Sequence, residues 1–332
     1  MKLLPLQHGG RLAEAAASHG GPRSAWLDLS TGINPTRYPV PDVPAALWQR
    51  LPDSDLEDEV RRAARLAYRA PGAAVSLAPG SQMHIQLLPF LRPPQPVAIV
   101  GPTYAEHAAA WSRAGHEVLA ADGLATAEAS ARVVVVVNPN NPDGRVVEPT
   151  LLRNLARRLG ARGGVLVVDE AFADVAPEAS VAPHAGRDGL VVLRSLGKFF
   201  GLAGARLGMA LTTPTLAAKL DDIVGPWAVG GPALFVGHAA LSDKVWIRRM
   251  RRTLETRRRD LERILATRLR VRGGTDLFVL ASHERAADLD EQLKQRRILV
   301  RTFRHDPTLL RFGIPGGQRA AARLEAALAS FR

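Results

Sequence analysis

Five consecutive valines, Val133–Val137, run straight into Asn-Pro-Asn-Asn-Pro-Asp-Gly at residues 138–144. No other stretch restricts the fold as much. A β-branched run of this kind suits a strand buried on both faces, and such a strand belongs in a parallel sheet covered by helices. The surrounding sequence repeats the arrangement. PVAIVGPTY, HEVLAA, GVLVVDEAF and GLVVLRS read as further strands with their loops, while AEHAAAWSRAG and PTLLRNLARRLGARG read as helices between them. The expectation is an α/β core over roughly residues 55–225, with a mostly parallel central sheet flanked by helices.

The flanks differ in character. The first fifty residues are rich in Gly and Pro (HGG, HGGP, TGINPTRYPVPDVP) and read as an extended arm with turns. A helical pattern from Asp55 to Ala70 follows, then a short strand in VSLAPGSQ, with the next helix starting near Gln82. Past Trp227 come a long helix pair, short strands in LFVLAS, ILVRTF and LLRFGIP, and a closing helix from Gln318 to Phe331. This predicts a smaller α+β domain. The expected division is an arm at 1–45, a large domain at 46–226 and a small domain at 227–332.

A net charge of +12 raises the question of nucleic acid as a partner. The excess is arginine: only Lys2, Lys198, Lys219, Lys244 and Lys294 are lysines. The densest basic stretch, Arg248–Arg272, reads as an amphipathic helix with Leu254, Leu261, Ile264 and Leu265 on its apolar side. No aromatic platform accompanies it, so attraction of anionic small molecules is the better use of the charge, and no nucleic acid is expected. The absence of cysteine excludes disulfides, thiolate metal sites and a Cys nucleophile, and no metal site is expected. No apolar run is long enough to span a bilayer, and MKLLPLQHGG lacks the apolar core of a signal peptide. A cytoplasmic protein with no membrane partner is expected.

Ligands of open α/β sheets bind beyond the carboxyl ends of the strands. Four of those ends carry polar groups in succession: Gly80-Ser81-Gln82, Asn138–Gly144, Asp169-Glu170, and Ser195-Leu196-Gly197-Lys198. Taken singly, each has a plain structural reading as a cap, a loop, a satisfied carboxylate or a surface lysine. Together they match the parts a pyridoxal 5'-phosphate (PLP) site requires. These are a lysine to form an imine, an anion for the pyridine nitrogen, a donor for the ring 3-oxygen, and donors and cations for the phosphate.

NPNNPDG, VVDEAF and SLGKFFGLAGARLG in this order resemble the fold-type I PLP-dependent enzymes of the aspartate aminotransferase superfamily. The resemblance implies that Lys198 is the Schiff-base lysine, that Asp169 pairs with the pyridine nitrogen and that Asn141 donates to the 3-oxygen. It further implies that Ser195, Arg206, Ser81 and Gln82 hold the phosphate, that Tyr104 stacks on the cofactor, and that Arg311 in LLRFGIP grips a substrate carboxylate. The active site is implied to lie at a homodimer interface, closed in part by the arm.

Within the superfamily, His8–Gly10 followed by LDLSTGINP resembles the threonine-phosphate decarboxylase branch of cobalamin biosynthesis, a relative of the histidinol-phosphate aminotransferases. Phe172 stands where most aminotransferases carry a tyrosine, and Leu51 stands where relatives carry a tyrosine reaching the partner subunit's phosphate. The implied reaction is decarboxylation of L-threonine O-3-phosphate, a small phosphorylated amino acid, with Asn34 and Arg311 orienting the carboxylate. His8, with Gly9, Gly10 and Arg23, is the candidate for the substrate phosphate. Two alternatives stay open: a histidinol-phosphate-type or other aminotransferase, and a non-catalytic PLP-binding regulator that binds DNA.

Overall fold

The computed structural model describes residues 9–331, so His8 lies outside the described residues. Along the chain come helix α1 (Leu12–His19), strand β1 (Leu27–Asp28), α2 (Ala46–Gln49), α3 (Ser54–Ala67), β2 (Ala74–Pro79), α4 (Ser81–Leu87), β3 (Pro96–Val100), α5 (Ala105–Arg113) and β4 (Glu117–Ala121). Next are α6 (Leu124–Ser130), β5 (Val133–Val137), α7 (Pro149–Ala161), β6 (Val165–Asp169), β7 (Leu190–Ser195), β8 (Leu207–Thr212), α8 (Pro214–Val224), α9 (Gly231–Ser242) and α10 (Lys244–Ala266). The chain ends with β9 (Arg270–Thr275), β10 (Phe278–Ser282), α11 (Ala286–Gln295), β11 (Ile298–Leu299), β12 (Arg301–Thr302), β13 (Leu309–Gly313) and α12 (Gln318–Ala329).

By proximity of their residues these elements fall into two units. The larger holds Arg37–Asn141 and Arg145–Trp246; the smaller holds, of the described residues, those up to Thr36, Pro142–Gly144, and those from Ile247 onward. The break therefore falls inside α10 rather than at the change of sequence character near Trp227. Helix α9 belongs with the larger unit because it packs on α3 and because Gly231 lies against the Leu47 backbone.

The larger unit is built on a seven-stranded sheet in the order β2-β8-β7-β6-β5-β3-β4. All strands run parallel except β8, which is antiparallel to both β2 and β7. The valine run explains why the sheet has two covered faces. Val133 and Val135 join a core with Ile85 and Trp111, while the intervening Val134 and Val136 point the other way, and all four are at most 2% exposed. Helix α7 places the fully buried Leu152, Leu155 and Leu159 over the sheet, where it packs on β6 and β7. Each such side chain contributes about 1.5–3 kcal/mol by leaving water. Strand β8 was not anticipated from LGMALT, and neither was α6; α6 is short, and β8 follows the SLGKFFG loop with only the 3-10 turn Ala203–Ala205 between.

In the smaller unit β9, β10, β13 and β12 form an antiparallel sheet in the order β12-β13-β10-β9. The N-terminal stretch holds more regular structure than an arm of turns. LAEAAASH forms α1, and β1 pairs in parallel with β11, with Leu27 N donating to Arg297 O and Leu29 N to Leu299 O, both at 2.8 Å. Ala15, Trp26 and Leu299 bury one another there. On α10, Leu254, Leu261 and Leu265 are buried and Ile264 half-buried, while Arg258, Arg259 and Arg263 pair with Glu262, Glu255 and Asp260 along the outer face. No helix among the described residues is long and apolar enough to cross a membrane.

Candidate active site

Parallel register brings the polar strand ends of the larger unit to one edge. Val137 stands opposite Asp169, and Asp169 opposite Leu193, so β5 and β6 end level with one another while β7 runs on to Ser195. Asn138 N donates to Asp169 O (2.8 Å) and Glu170 N to Leu193 O (2.9 Å), which continues the ladder past the last side chains of the core. Because β8 runs the other way, its start rather than its end lies at this edge. Ser195 faces Gly208, and Pro79 at the end of β2 faces Leu207. Arg206, just before β8, thus comes beside Gly80-Ser81 and Ser195.

Two glycines make that approach possible. At Gly80 (φ +80°) an added Cβ would lie 2.5 Å from the Arg206 guanidinium, and at Gly208 it would lie 1.9 Å from Ser81 N. Arg206 itself adopts the left-handed conformation (φ 49°, ψ 51°) after the 3-10 turn Ala203–Ala205. Ser195 Oγ accepts from Gly197 N at 3.3 Å and is 8% exposed. Ser81 and Gln82 open α4. Ser81, Ser195 and Arg206 therefore stand at neighbouring positions along this edge, where a phosphate is expected. Gln82 is placed differently from the others: its side chain donates to Glu106 Oε2 (3.0 Å) and accepts from the Tyr104 hydroxyl (3.2 Å), so it orients Tyr104.

Asp169, 3% exposed, ends β6. Its Oδ1 accepts from Ala171 N (3.0 Å) and its Oδ2 meets His107 Nε2 at 2.9 Å. A carboxylate only accepts, so the pair requires His107 to carry a hydrogen on Nε2. His107 was not anticipated. The signal was present, since it follows Tyr104 by three residues at the start of α5, on the same side of the helix. The Tyr104 and His107 rings meet edge to face, 6.1 Å apart.

Asn138 and Asn140 brace neighbouring segments. Asn138 donates to Val147 O (3.1 Å) and Ala179 O (3.0 Å) and accepts from Val147 N (2.8 Å). Asn140 donates to Pro102 O (3.0 Å) and accepts from the Thr103 hydroxyl (2.6 Å). Asn141 is half-buried at the turn that follows. Lys198 is half-buried as well, its Nζ 5.7 Å from the centre of the Phe172 ring. The larger unit thus presents along one edge an amine, a carboxylate, an amide and a phosphate-type donor set, and these fit PLP.

The smaller unit carries its own cationic group. Arg311 on β13 is 6% exposed, donates to Ser30 O (3.0 Å) and lies 4.9 Å from the centre of the Phe278 ring. Directly opposite on β12 stands Arg301, another residue the sequence reading passed over. Burial, and then the like charge of Arg301, push the Arg311 guanidinium down to about 9. Like charges facing each other across a ladder are costly, and an anion would relieve them. Asn34 is buried, its Oδ1 accepting from Thr36 N (2.8 Å). Gly9 and Gly10 lie on Ser30: an added Cβ on Gly9 would be 2.3 Å from Ser30 O, and Gly10 N donates to Ser30 Oγ (2.7 Å). Arg23 is exposed in a 3-10 turn, and in the larger unit Leu51 is 61% exposed.

The sequence profile of aminotransferase class I and II matches residues 44–328. The chain belongs to the class I and II aminotransferase family. Among members of the family, it is 46% identical over 331 residues to the threonine-phosphate decarboxylase of a Sinorhizobium species, covering 98% of each chain. The threonine-phosphate decarboxylase of Pseudomonas aeruginosa gives the same identity and coverage. In fold, the chain is similar to a histidinol-phosphate aminotransferase from Sinorhizobium meliloti solved with pyridoxal-5'-phosphate. The TM-score is 0.84 at 21% identity, covering 98% of this chain and 94% of that one.

Proposed function

We propose that this protein is a PLP-dependent carboxy-lyase that converts L-threonine O-3-phosphate to (R)-1-amino-2-propanol O-2-phosphate and carbon dioxide. The observation that carries this reading is end-to-end similarity, at 46% identity, to two chains named threonine-phosphate decarboxylase, together with the site residues on the sheet edge. We assign the reaction to cobalamin biosynthesis and the enzyme to the cytoplasm. PLP, when bound, supplies a protonated pyridine ring that accepts the electrons of a bond broken at the substrate's Cα.

This chain's residues then have distinct tasks. Lys198 anchors the cofactor and delivers from Nζ the proton that replaces the departing carboxylate on Cα. Asp169, steadied by His107, holds the charge on the ring nitrogen. Asn141 donates to the 3-oxygen, and Phe172 brings no second hydroxyl there. Ser81, Ser195 and Arg206 hold the cofactor phosphate, with Gln82 keeping Tyr104 in place to stack. For the substrate's own anions we assign Arg311 to the carboxylate, with Asn34 beside this task, and Arg301 and His8 to the phosphate. The bond that breaks is the one these contacts hold perpendicular to the ring.

We further propose a homodimer. Trp48, Leu51, Leu66 and Trp227 are 70%, 61%, 72% and 55% exposed, an amount of large apolar surface that a second copy of the chain would cover.

A second reading, amino transfer from a histidinol-phosphate-type substrate, draws on the family profile and would use the same cofactor residues. One pair of assays separates them: carbon dioxide released from threonine phosphate, and keto-acid-dependent transfer from histidinol phosphate. Release without transfer is expected. Transfer without release would overturn the decarboxylase reading.

A further inference from the structure

Behind the cofactor edge of the larger unit lies buried charge that the reaction does not use. Glu170, Arg194 and Asp174 are 0%, 2% and 3% exposed, and the Arg194 guanidinium spans the two acids at 2.8 Å each, Nη1 to Glu170 and Nη2 to Asp174. The ring of buried Tyr68 covers the guanidinium at 4.0 Å. Two members sit next to cofactor residues: Glu170 follows Asp169, and Arg194 precedes Ser195.

We propose that Glu170 is a positioning residue whose carboxylate, through Arg194 and residues 180–181, sets the spacing of the three strand ends that carry Asn141, Asp169 and Ser195. The carboxylate is a hub. Its Oε1 accepts from Val181 N (2.6 Å), and its Oε2 accepts from the Ser180 hydroxyl (2.5 Å) and from Arg194 (2.8 Å). The segment it grips returns to the third strand end, because Ala179 O accepts from Asn138 Nδ2. One side chain therefore links the exit of β6 to β7 on one side and to the Asn138–Asn141 turn on the other.

Stability alone is a poor reason for such a cluster. Taking charges out of water is costly, and well-packed apolar side chains commonly serve a core as well or better. Burial does push the Glu170 carboxyl above its ordinary range, against the pull of Arg194, Ser180 and Val181. What ionic and hydrogen-bonded contacts add is direction: a fork that meets two carboxylates fixes distances that dispersion does not. A few tenths of an ångström at these strand ends would separate the Asp169 carboxylate from the group it holds.

The inference rests on PLP occupying this edge, and its test is arranged to separate the two. Full-length Arg194→Lys, the double variant Glu170→Gln/Arg194→Met, and Leu152→Ala as a core control are compared with the parent. The readouts are the melting temperature of the apoprotein, the PLP dissociation constant, and the pH midpoint of the visible band of the bound cofactor. At a matched loss of melting temperature, the Glu170 and Arg194 variants should bind PLP about tenfold more weakly and shift the midpoint, the scale seen when groups orienting a binding residue are removed. Leu152→Ala should do neither. If the double variant does not fold, Arg194→Lys is read against the control alone. Weakening by Leu152→Ala to the same degree, or parent-like affinity and midpoint in the Arg194 variants, overturns the positioning role. A parent that takes up no PLP overturns the cofactor reading instead.

Discussion

The phosphate end of the site depends on one missing side chain, and restoring it is a sharp perturbation. In Gly208→Ala the new Cβ would stand 1.9 Å from Ser81 N, 2.2 Å from Gly80 C and 2.7 Å from Ser81 Cα. All three are backbone atoms, so no side chain can swing aside. Real Cβ atoms essentially never come closer than 3.0 Å, so the Gly80–Ser81 turn and β8 must part by about 1 Å, a displacement large enough to cost about a hundredfold in rate when it falls in an active site. Overpacking of this kind costs about 1–3 kcal/mol of stability. The larger effect should be on the cofactor, because Arg206 lies two residues before Gly208 and Ser195 directly opposite it. Losing one charge-assisted contact to the phosphate removes about 1.5–3 kcal/mol, or about ten- to a hundredfold in PLP affinity. Visible titration of the apoprotein measures the affinity, and a thermal melt measures the stability. Gly123→Ala is the control, since its Cβ would meet nothing within 4 Å. Parent-like PLP affinity in Gly208→Ala would refute the placement of Ser81 and Arg206 around the phosphate.

Lys198→Ala should lose both the visible band and carbon dioxide release; an unchanged spectrum removes Lys198 from its role. His107→Leu takes away the donor that meets Asp169 at 2.9 Å, and should lower kcat by about tenfold or more while PLP stays bound, as expected for a lost hydrogen bond to a charged group; parent-like kcat would make His107 a packing residue. Arg301→Ala should raise KM for threonine phosphate by about tenfold or more with the visible band unchanged, and an unaltered KM would exclude it from the substrate. Burial pulls His84 from 6.5 down to about 3. As pH falls below 6.5 the unfolded chain takes up this proton and the folded chain does not, so stability present above 6.5 is lost toward 3 at about 1.4 kcal/mol per pH unit. His84→Gln should flatten that slope in urea titrations; a slope identical to the parent's would mean His84 is protonated in the fold.

The sheet and its chemistry were legible where the signal is local. Val133–Val137 could only be a doubly buried strand, and Asp169 ends its strand while Asn141 and Lys198 lie in the turns just past theirs, so parallel register brings them to one edge without further information. Strand β8 was not legible, although Arg206 was identified from GARLG by resemblance. An antiparallel insertion between β2 and β7 depends on pairing partners over 120 residues apart in the case of β2, and LGMALT carries no alternation that announces it. The same reason hides β1, a two-residue strand whose partner is Ile298-Leu299. His107, Arg301 and the Glu170–Arg194 pair went unread because each acquires its meaning from a neighbour supplied by another element. A sequence pattern shows which residues could carry charge; only packing shows which charges are made to face each other.

That distinction also orders the assignments. The cofactor residues are tied to one another by backbone register, since Val137, Asp169 and Leu193 align and Ser195 faces Gly208. A change at one of them is therefore felt by the others. The arginines proposed for the substrate's anions belong to a different sheet, where Arg301 and Arg311 sit on adjacent strands and repel each other. Relief of that repulsion by an anion scales with the charge brought in. A substrate carrying both a carboxylate and a phosphate answers two guanidiniums better than a substrate with one anionic group. By this argument the facing arginines of the smaller unit, on the proposed assignment, favour a phosphorylated amino acid over a phosphorylated amino alcohol.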